Sequence, residues 1–120
     1  MPHVVGYRPS QLRDRVDVLA RIDSQALDGQ RVSRPTVIGS RYCKVRSTGS
    51  REDDVNGAVK VIYAFQVIKR YEADFDTQCQ LRWMDRSKRE WTLNIESLED
   101  VDGLGMWQAL NCTGRLNADR

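Results

Sequence analysis

Residues Val59–Tyr71 constrain the fold of this chain most. Val59, Val61, Tyr63, Phe65 and Val67 alternate as apolar or aromatic positions, and Lys69 and Tyr71 follow in the same phase. The other phase reads Lys60, Ile62, Ala64, Gln66, Ile68 and Arg70. A period of two with one apolar and one mixed face describes a strand of a half-buried antiparallel sheet. On a helix these side chains would scatter around the circumference. Their β-branched and aromatic character also suits a pleated surface.

Shorter stretches repeat the pattern on both sides. Arg15–Asp23 sets Val16, Val18, Ala20 and Ile22 against Arg15, Asp17, Leu19, Arg21 and Asp23, a first strand. A helix over Gln11–Ala20 competes through Leu12, Val16 and Leu19, but the alternation runs the full length. Ser24–Pro35 reads as a polar loop with the turn signal Asp28-Gly29. Thr36–Ser47 is a second strand, and Gly39 marks a bulge there. Thr48–Gly57 carries two glycines, a run of charges and Asn56-Gly57, and reads as a long loop before the central strand.

After Tyr71 the chain turns over Glu72–Thr77. Gln78–Met84 is a fourth strand with Cys79, Leu81 and Trp83 inward, and Asp85–Lys88 is a hairpin turn. Glu90–Glu96 is a fifth strand with Trp91, Leu93 and Ile95 inward, which sets Trp83 and Trp91 across one hairpin, where aromatic pairs stabilise by about 0.2–1 kcal/mol. Ser97–Gly105 is an acidic loop, and Met106–Thr113 is the sixth strand. These elements predict one all-β domain: an arm over residues 1–13, a small six-stranded antiparallel β-barrel over 14–113 with a long β2–β3 loop, and a tail over 114–120, both ends flexible. A closed barrel hides sheet edges best.

A chain of 120 residues can bury a modest core. Its 19 basic and 17 acidic residues leave a net charge of +2, too near neutral to mark a nucleic-acid binder. No apolar run approaches roughly 20 residues, so no helical membrane span and no membrane partner are expected. The first residues lack a basic stretch before an apolar one, so no secretion signal is expected. Cys43, Cys79 and Cys112 are odd in number and far apart. They read as reduced, strand-borne and mostly buried, which suits folding in a cytoplasm.

The chemistry-bearing residues are sparse. The one histidine, His3, lies in the arm, where nothing holds it against a nucleophile. There is no CxxC, no HxxxH and no calcium-loop spacing around Glu52, Asp53 and Asp54. No glycine-rich phosphate cradle occurs. The expectation is therefore a non-enzymatic chain without metal or cofactor. Small barrels also bind single-stranded nucleic acid through exposed aromatics beside basic residues. Tyr42, Tyr63, Trp83, Trp91 and Trp107 are present, with Arg41, Lys44, Arg46, Lys69, Arg70 and Arg82 on strands. Phe65, Trp83 and Trp91 share the core phase, however, and the basic residues read as a solvated or intersubunit face.

The order of local motifs resembles the phage head–tail adaptor family, the head-closure or stopper proteins of long-tailed phages and phage-like particles. That family opens its first strand with Leu-Arg-x-Arg-Val-x-Ile/Leu, here Leu12-Arg13-Asp14-Arg15-Val16-Asp17-Val18. A Gly turn follows, here Asp28-Gly29-Gln30, then an aromatic-x-x-Val strand, here Tyr42-Cys43-Lys44-Val45. A Ser/Gly-Arg-Glu loop is matched by Gly49-Ser50-Arg51-Glu52, and the third strand by Phe65-Gln66-Val67-Ile68-Lys69-Arg70-Tyr71. The late hairpin and last strand are similar in Trp91-Thr92-Leu93-Asn94-Ile95 and Leu110-Asn111-Cys112. The third strand departs from the usual Ile-Arg-Tyr by an inserted lysine. The turn Asp85-Arg86-Ser87-Lys88 lacks the usual Gly.

The resemblance implies a subunit of a homo-oligomeric ring, a hexamer or dodecamer, in the neck of a virion, assembled in the host cytoplasm. Such a ring sits below the portal or adaptor, keeps packaged DNA in the head, and docks a tail terminator or tail tube protein. In relatives the loop between the second and third strands projects into the channel. Here that loop would present Ser50, Arg51, Glu52, Asp53, Asp54, Val55 and Asn56, whose acids would repel phosphate while Arg51 attracts it. Two other readings remain at this point. One is a small β-barrel nucleic-acid-binding module. The other is a tail terminator, which usually pairs a sheet with a helix.

Overall fold

The strands pair as the alternation requires, each presenting one face to a shared interior. The computed structural model describes residues 11–25, 29, 31–55, 57–103 and 105–117. Its strands are β1 Asp14–Gln25, β2 Arg31–Val55, β3 Ala58–Arg70, β4 Gln80–Met84, β5 Glu90–Asp100 and β6 Trp107–Leu116. They close into a barrel in the order β1-β2-β3-β6-β5-β4, and every neighbouring pair is antiparallel. Closure rests on a short ladder from Val16↔Trp83 to Leu19↔Gln80.

The interior is built from the anticipated phases. Val16, Val18, Cys43, Phe65, Val67, Leu81, Trp91, Leu93, Leu110 and Cys112 form a buried cluster. Trp83 and Trp91 are direct cross-strand partners. Phe65 sits edge-on to both rings, 5.7 Å from Trp83 and 5.1 Å from Trp91. All three cysteines are free and buried; Cys79 precedes β4 instead of lying on it.

The boundaries differ from the sequence expectation in four places. Thr48–Val55 is strand, where a loop was expected, and of the expected loop Ser24–Pro35 the residues 24–25 and 31–35 are strand. Both segments are two-stranded ribbons outside the barrel. A ribbon's ladder forms without a buried face, so the polar strands Arg31–Pro35 and Thr48–Asp54 need no apolar alternation and show none. β5 runs on to Asp100 because a bulge between Ile95 and Ser97 resets the phase, which turns Leu98 toward the core. β6 continues through Gly114 to Leu116, into what was expected to be tail. The expected arm and tail otherwise fall on residues 1–10 and 118–120, outside the described residues.

β2 is the long stave, and it changes partner midway. Residues 31–43 pair with β1, and residues 44–55 pair with β3. At the changeover Asp14, the first residue of β1, accepts a hydrogen bond from the Val45 amide at 2.9 Å, so a side chain extends the ladder where β1 ends. The bulge expected at Gly39 falls beside it. Gly39 opposes Val18 and Val37 opposes Leu19, which leaves Ile38 unpaired. The molecule is elongated, 63 × 36 × 26 Å.

Candidate functional site

The segment expected to line a channel is the outer part of a β2–β3 arm. β6 accompanies β3 only from Tyr63↔Gly114 onward, so Ala58–Ile62 pairs with β2 alone among the described residues. A bulge at Thr48 and the positive φ of Gly49 (134°) mark where β2 leaves the wall. The register is Ser50↔Tyr63, Arg51↔Ile62, Glu52↔Val61, Asp53↔Lys60, Asp54↔Val59 and Val55↔Ala58. Asn56 lies outside the described residues, and Gly57 turns the chain with φ 78°.

Opposed residues of an antiparallel ladder share a face. Ser50 and Glu52 therefore share one with Tyr63 and Val61, while Arg51 shares the other with Ile62. The apolar phase of the barrel interior runs out along this arm. Val59, Val61 and Tyr63 are 66%, 44% and 40% exposed. Their period of two was legible in the sequence. Their position beyond the end of β6 was not.

At the foot of the arm the barrel mouth opens as a cavity of about 530 Å³ lined by Tyr63, Phe65, Trp83, Trp91, Asp14 and Leu116, among others. Tyr63 meets Trp91 edge-on at 5.3 Å. The Trp83 indole N–H is buried without a hydrogen-bond partner. The Trp91 N–H donates to Asp85 Oδ2 at 2.9 Å, and Asp85 also accepts from the Arg89 amide and guanidinium at 2.9 and 3.0 Å. Burial pushes the Asp85 carboxyl up, and these donors more than reverse it, holding it below its usual value. These residues fix the β4–β5 turn at the rim of the mouth.

The opposite end is closed by a polar cluster. Lys69 was read as part of a solvated or intersubunit face; instead it is 2% exposed. It lies in phase with Phe65 and Val67 and therefore points inward. Its ammonium donates to Glu72 Oε2 at 2.8 Å and to the Arg70 carbonyl at 2.9 Å, and lies 4.3 Å from the Phe75 ring centre. Arg41 Nε donates to both Glu72 oxygens at 2.9 and 3.0 Å. Gln108 Nε2 donates to the Glu72 carbonyl at 2.9 Å, while its Oε1 is buried and unpartnered. The Arg41–Glu72–Lys69 bridge spans the end of β3 that β2 does not cover. The signal for it was the phase of Lys69 together with an acid three residues on; Gln108 and Asp85 had no comparable signal.

Burial holds the Lys69 ammonium below its usual range, against the pull of Glu72. Burial also raises the Cys43 and Cys112 thiols to about 12, with Asp14 adding to the first and Glu96 to the second. Both are un-ionised near neutrality and chemically quiet there. Among the described residues no group of three or more His, Cys, Asp or Glu could hold a metal ion. His3 lies outside those residues. What the described surface offers is an exposed apolar stripe, Val59, Val61 and Tyr63, beside an aromatic mouth.

The fold has a counterpart in a virion. A chain of a structure described as "Virion of native gene transfer agent (GTA) particle" superposes with a TM-score of 0.62 at 13% sequence identity, over 88% of this chain and 96% of that one. No protein-family model and no curated protein matches the sequence. The likeness is one of fold and runs almost end to end in both chains.

Proposed function

We propose that this chain is a non-enzymatic structural subunit of a phage-like particle, a head–tail connector of the head-closure type. The observation that carries the reading is the near-complete overlap with a chain of a gene transfer agent virion. The motif order of the sequence supports the same class independently. On this reading identical subunits form a ring between the portal or adaptor and the tail. Heterologous contacts that close by rotation hold the ring together. The β2–β3 arm, with Glu52, Asp53 and Asp54 near its tip, would face the channel and its packaged DNA, where acids repel phosphate and let the duplex slide.

The test is made in particles. Replacing Ser50–Ile62 by a short glycine turn removes only ladder that β2 and β3 share with each other, so the barrel should still fold. Particles carrying this variant are expected to lose packaged DNA or to leave heads and tails unjoined. Normal DNA retention and tail attachment would defeat the arm assignment. Absence of the protein from purified particles would defeat the connector reading.

The rival reading of a single-strand binder is disfavoured because Phe65 and Trp91 are core residues and Trp83 packs on them. Micromolar single-strand binding that weakens steeply with salt would revive it.

A further inference from the structure

β4 is the short stave of the barrel. It has five residues and stands between β1 with twelve and β5 with eleven. β1 follows it only as far as Leu19↔Gln80, and β5 only as far as Gln80↔Asn94. Past those pairs, among the described residues, 20–25 of β1 pair with β2 alone and 95–100 of β5 pair with β6 alone. Two strand edges are therefore left open on the two sides of one gap. The chain that leads into β4 does not fill it, because residues 76–79 are turned. Asp76 accepts from the Gln78 amide through Oδ1 at 2.8 Å and from the Cys79 amide through its carbonyl at 3.4 Å.

The gap is a groove of about 480 Å³, lined by Ala20 and Pro35 of the β1–β2 side, Asn94 and Ile95 of β5, and Asp76 and Cys79 next to the start of β4, among others. Where β4 begins, it holds β1 and β5 two strand spacings of about 4.7–4.9 Å apart, the room that one strand takes. Ala20, Ile95 and Leu98 pack on the core but stay half-buried. One further strand would cover them. A row of unpaired N–H and C=O groups is a template for an added strand, and here two rows flank the same groove.

Charge narrows the occupant. Among the described residues Asp76 is the one charged side chain lining the groove. Glu96 and Glu99 are exposed and accept hydrogen bonds from Thr113 and Asn111, residues of β6 out of phase with the core positions Leu110 and Cys112, so both acids lie on the outer wall beside the gap. Neither takes part in an ion pair among the described residues.

We propose that this groove binds an extended peptide of a partner protein as an added stave, with small apolar residues alternating with basic ones. The apolar side chains pack inward on Ala20 and Ile95, and the basic ones lie outward beside Glu96 and Glu99. The peptide runs antiparallel to both β1 and β5, in line with β4. The groove belongs to the barrel wall, so the contact stands independently of the connector reading.

The probe is the fluorescein-labelled peptide Lys-Val-Lys-Val-Lys-Val-amide, followed by fluorescence anisotropy with the full-length protein at low salt. It should bind with a micromolar Kd, and amide hydrogen exchange of residues 95–100 should slow in the complex. The same peptide built from N-methylvaline keeps its charge and side chains but lacks the valine N–H groups, and should not bind. Ala20→Trp fills the groove and should abolish binding, with circular dichroism showing the wild-type fold. Glu96→Lys with Glu99→Lys should weaken binding by about tenfold. The charge variant and the methylated peptide read the contact without altering the core. Absence of binding at millimolar peptide, equal binding of the methylated peptide, undiminished binding to folded Ala20→Trp, or undiminished binding to the charge variant overturns the proposal.

Discussion

Lys69 Nζ donates to Glu72 Oε2 at 2.8 Å, with the lysine side chain 2% exposed and the glutamate 32% exposed at the rim. The pair is unequal. The ammonium depends on Glu72 for compensation, whereas Glu72 keeps Arg41 if the lysine is lost. Removing Glu72 strands a buried ammonium, whereas removing Lys69 leaves Glu72 at the rim and still paired with Arg41. Glu72→Gln should therefore lower unfolding stability by about 2–3 kcal/mol. Lys69→Met should stay within about 1 kcal/mol of the wild type. Urea unfolding of both variants checks the asymmetry, and a more costly Lys69→Met would contradict it.

The same pair sets a pH dependence. Burial works against the Glu72 carboxylate, but the hydrogen bonds and charges of Lys69 and Arg41 win and hold it below its usual 4.5. A carboxyl depressed on folding contributes stability that is present above 4.5 and lost as pH falls through the folded value. Lys69 is held below its usual 10.5, so between its folded value and 10.5 the unfolded chain binds more protons and stability rises with pH. Stability measured against pH should fall on the acid side below about 4.5. The fall should be shallower in Glu72→Gln, and equal slopes would show that the contact does not form.

The β4–β5 turn stores strain at a single position. Lys88 holds a left-handed backbone, φ 61°, which glycine adopts without steric cost. Its amide donates to the Asp85 carbonyl at 3.0 Å, so the conformation is locked into the turn. Lys88→Gly should stabilise the protein by about 0.5–1 kcal/mol, seen as a melting temperature higher by a few degrees. Asp85→Ala should cost about 1–3 kcal/mol, because it orphans the Trp91 indole N–H.

A side chain at residue 114 has nowhere to go. A Cβ there would fall within van der Waals contact of the Phe65 ring, and 3.1 Å from Leu93 Cδ2. Gly114→Ala should destabilise by about 1–3 kcal/mol through overpacking. Combining it with Phe65→Leu should cost less than the sum of the two single changes. Strict additivity in thermal unfolding would argue against the contact.

The cysteines report on closure of the barrel. Cys43 and Cys112 are buried, with thiols raised to about 12. At pH 8 a water-soluble disulfide reagent should leave both unreacted for as long as the protein stays folded, and all three thiols should react in denaturant. Reaction of either in the native protein at the rate of a free thiol would mean that the wall opens.

The alternation by itself determined the staves that have one wet and one dry face: the inner run of β3 through Phe65 and Val67, the Trp83–Trp91 hairpin, and the start of β1. A period of two marks a strand with one apolar face; over Phe65 and Val67 that face meets the core, and over Val59 and Val61 it does not. It was silent on Arg31–Arg34 and Arg51–Val55, which are strands held by a ladder in a two-stranded ribbon. It also lost the end of β5, where one extra residue at Glu96 shifts the phase. Only the tertiary structure decided that Val59 and Val61 lie beyond the end of β6 and stay exposed, and that Lys69 in the same phase is sealed inside with Glu72. Phase fixes which way a side chain points. The point at which neighbouring strands stop fixes whether that direction ends in protein or in water.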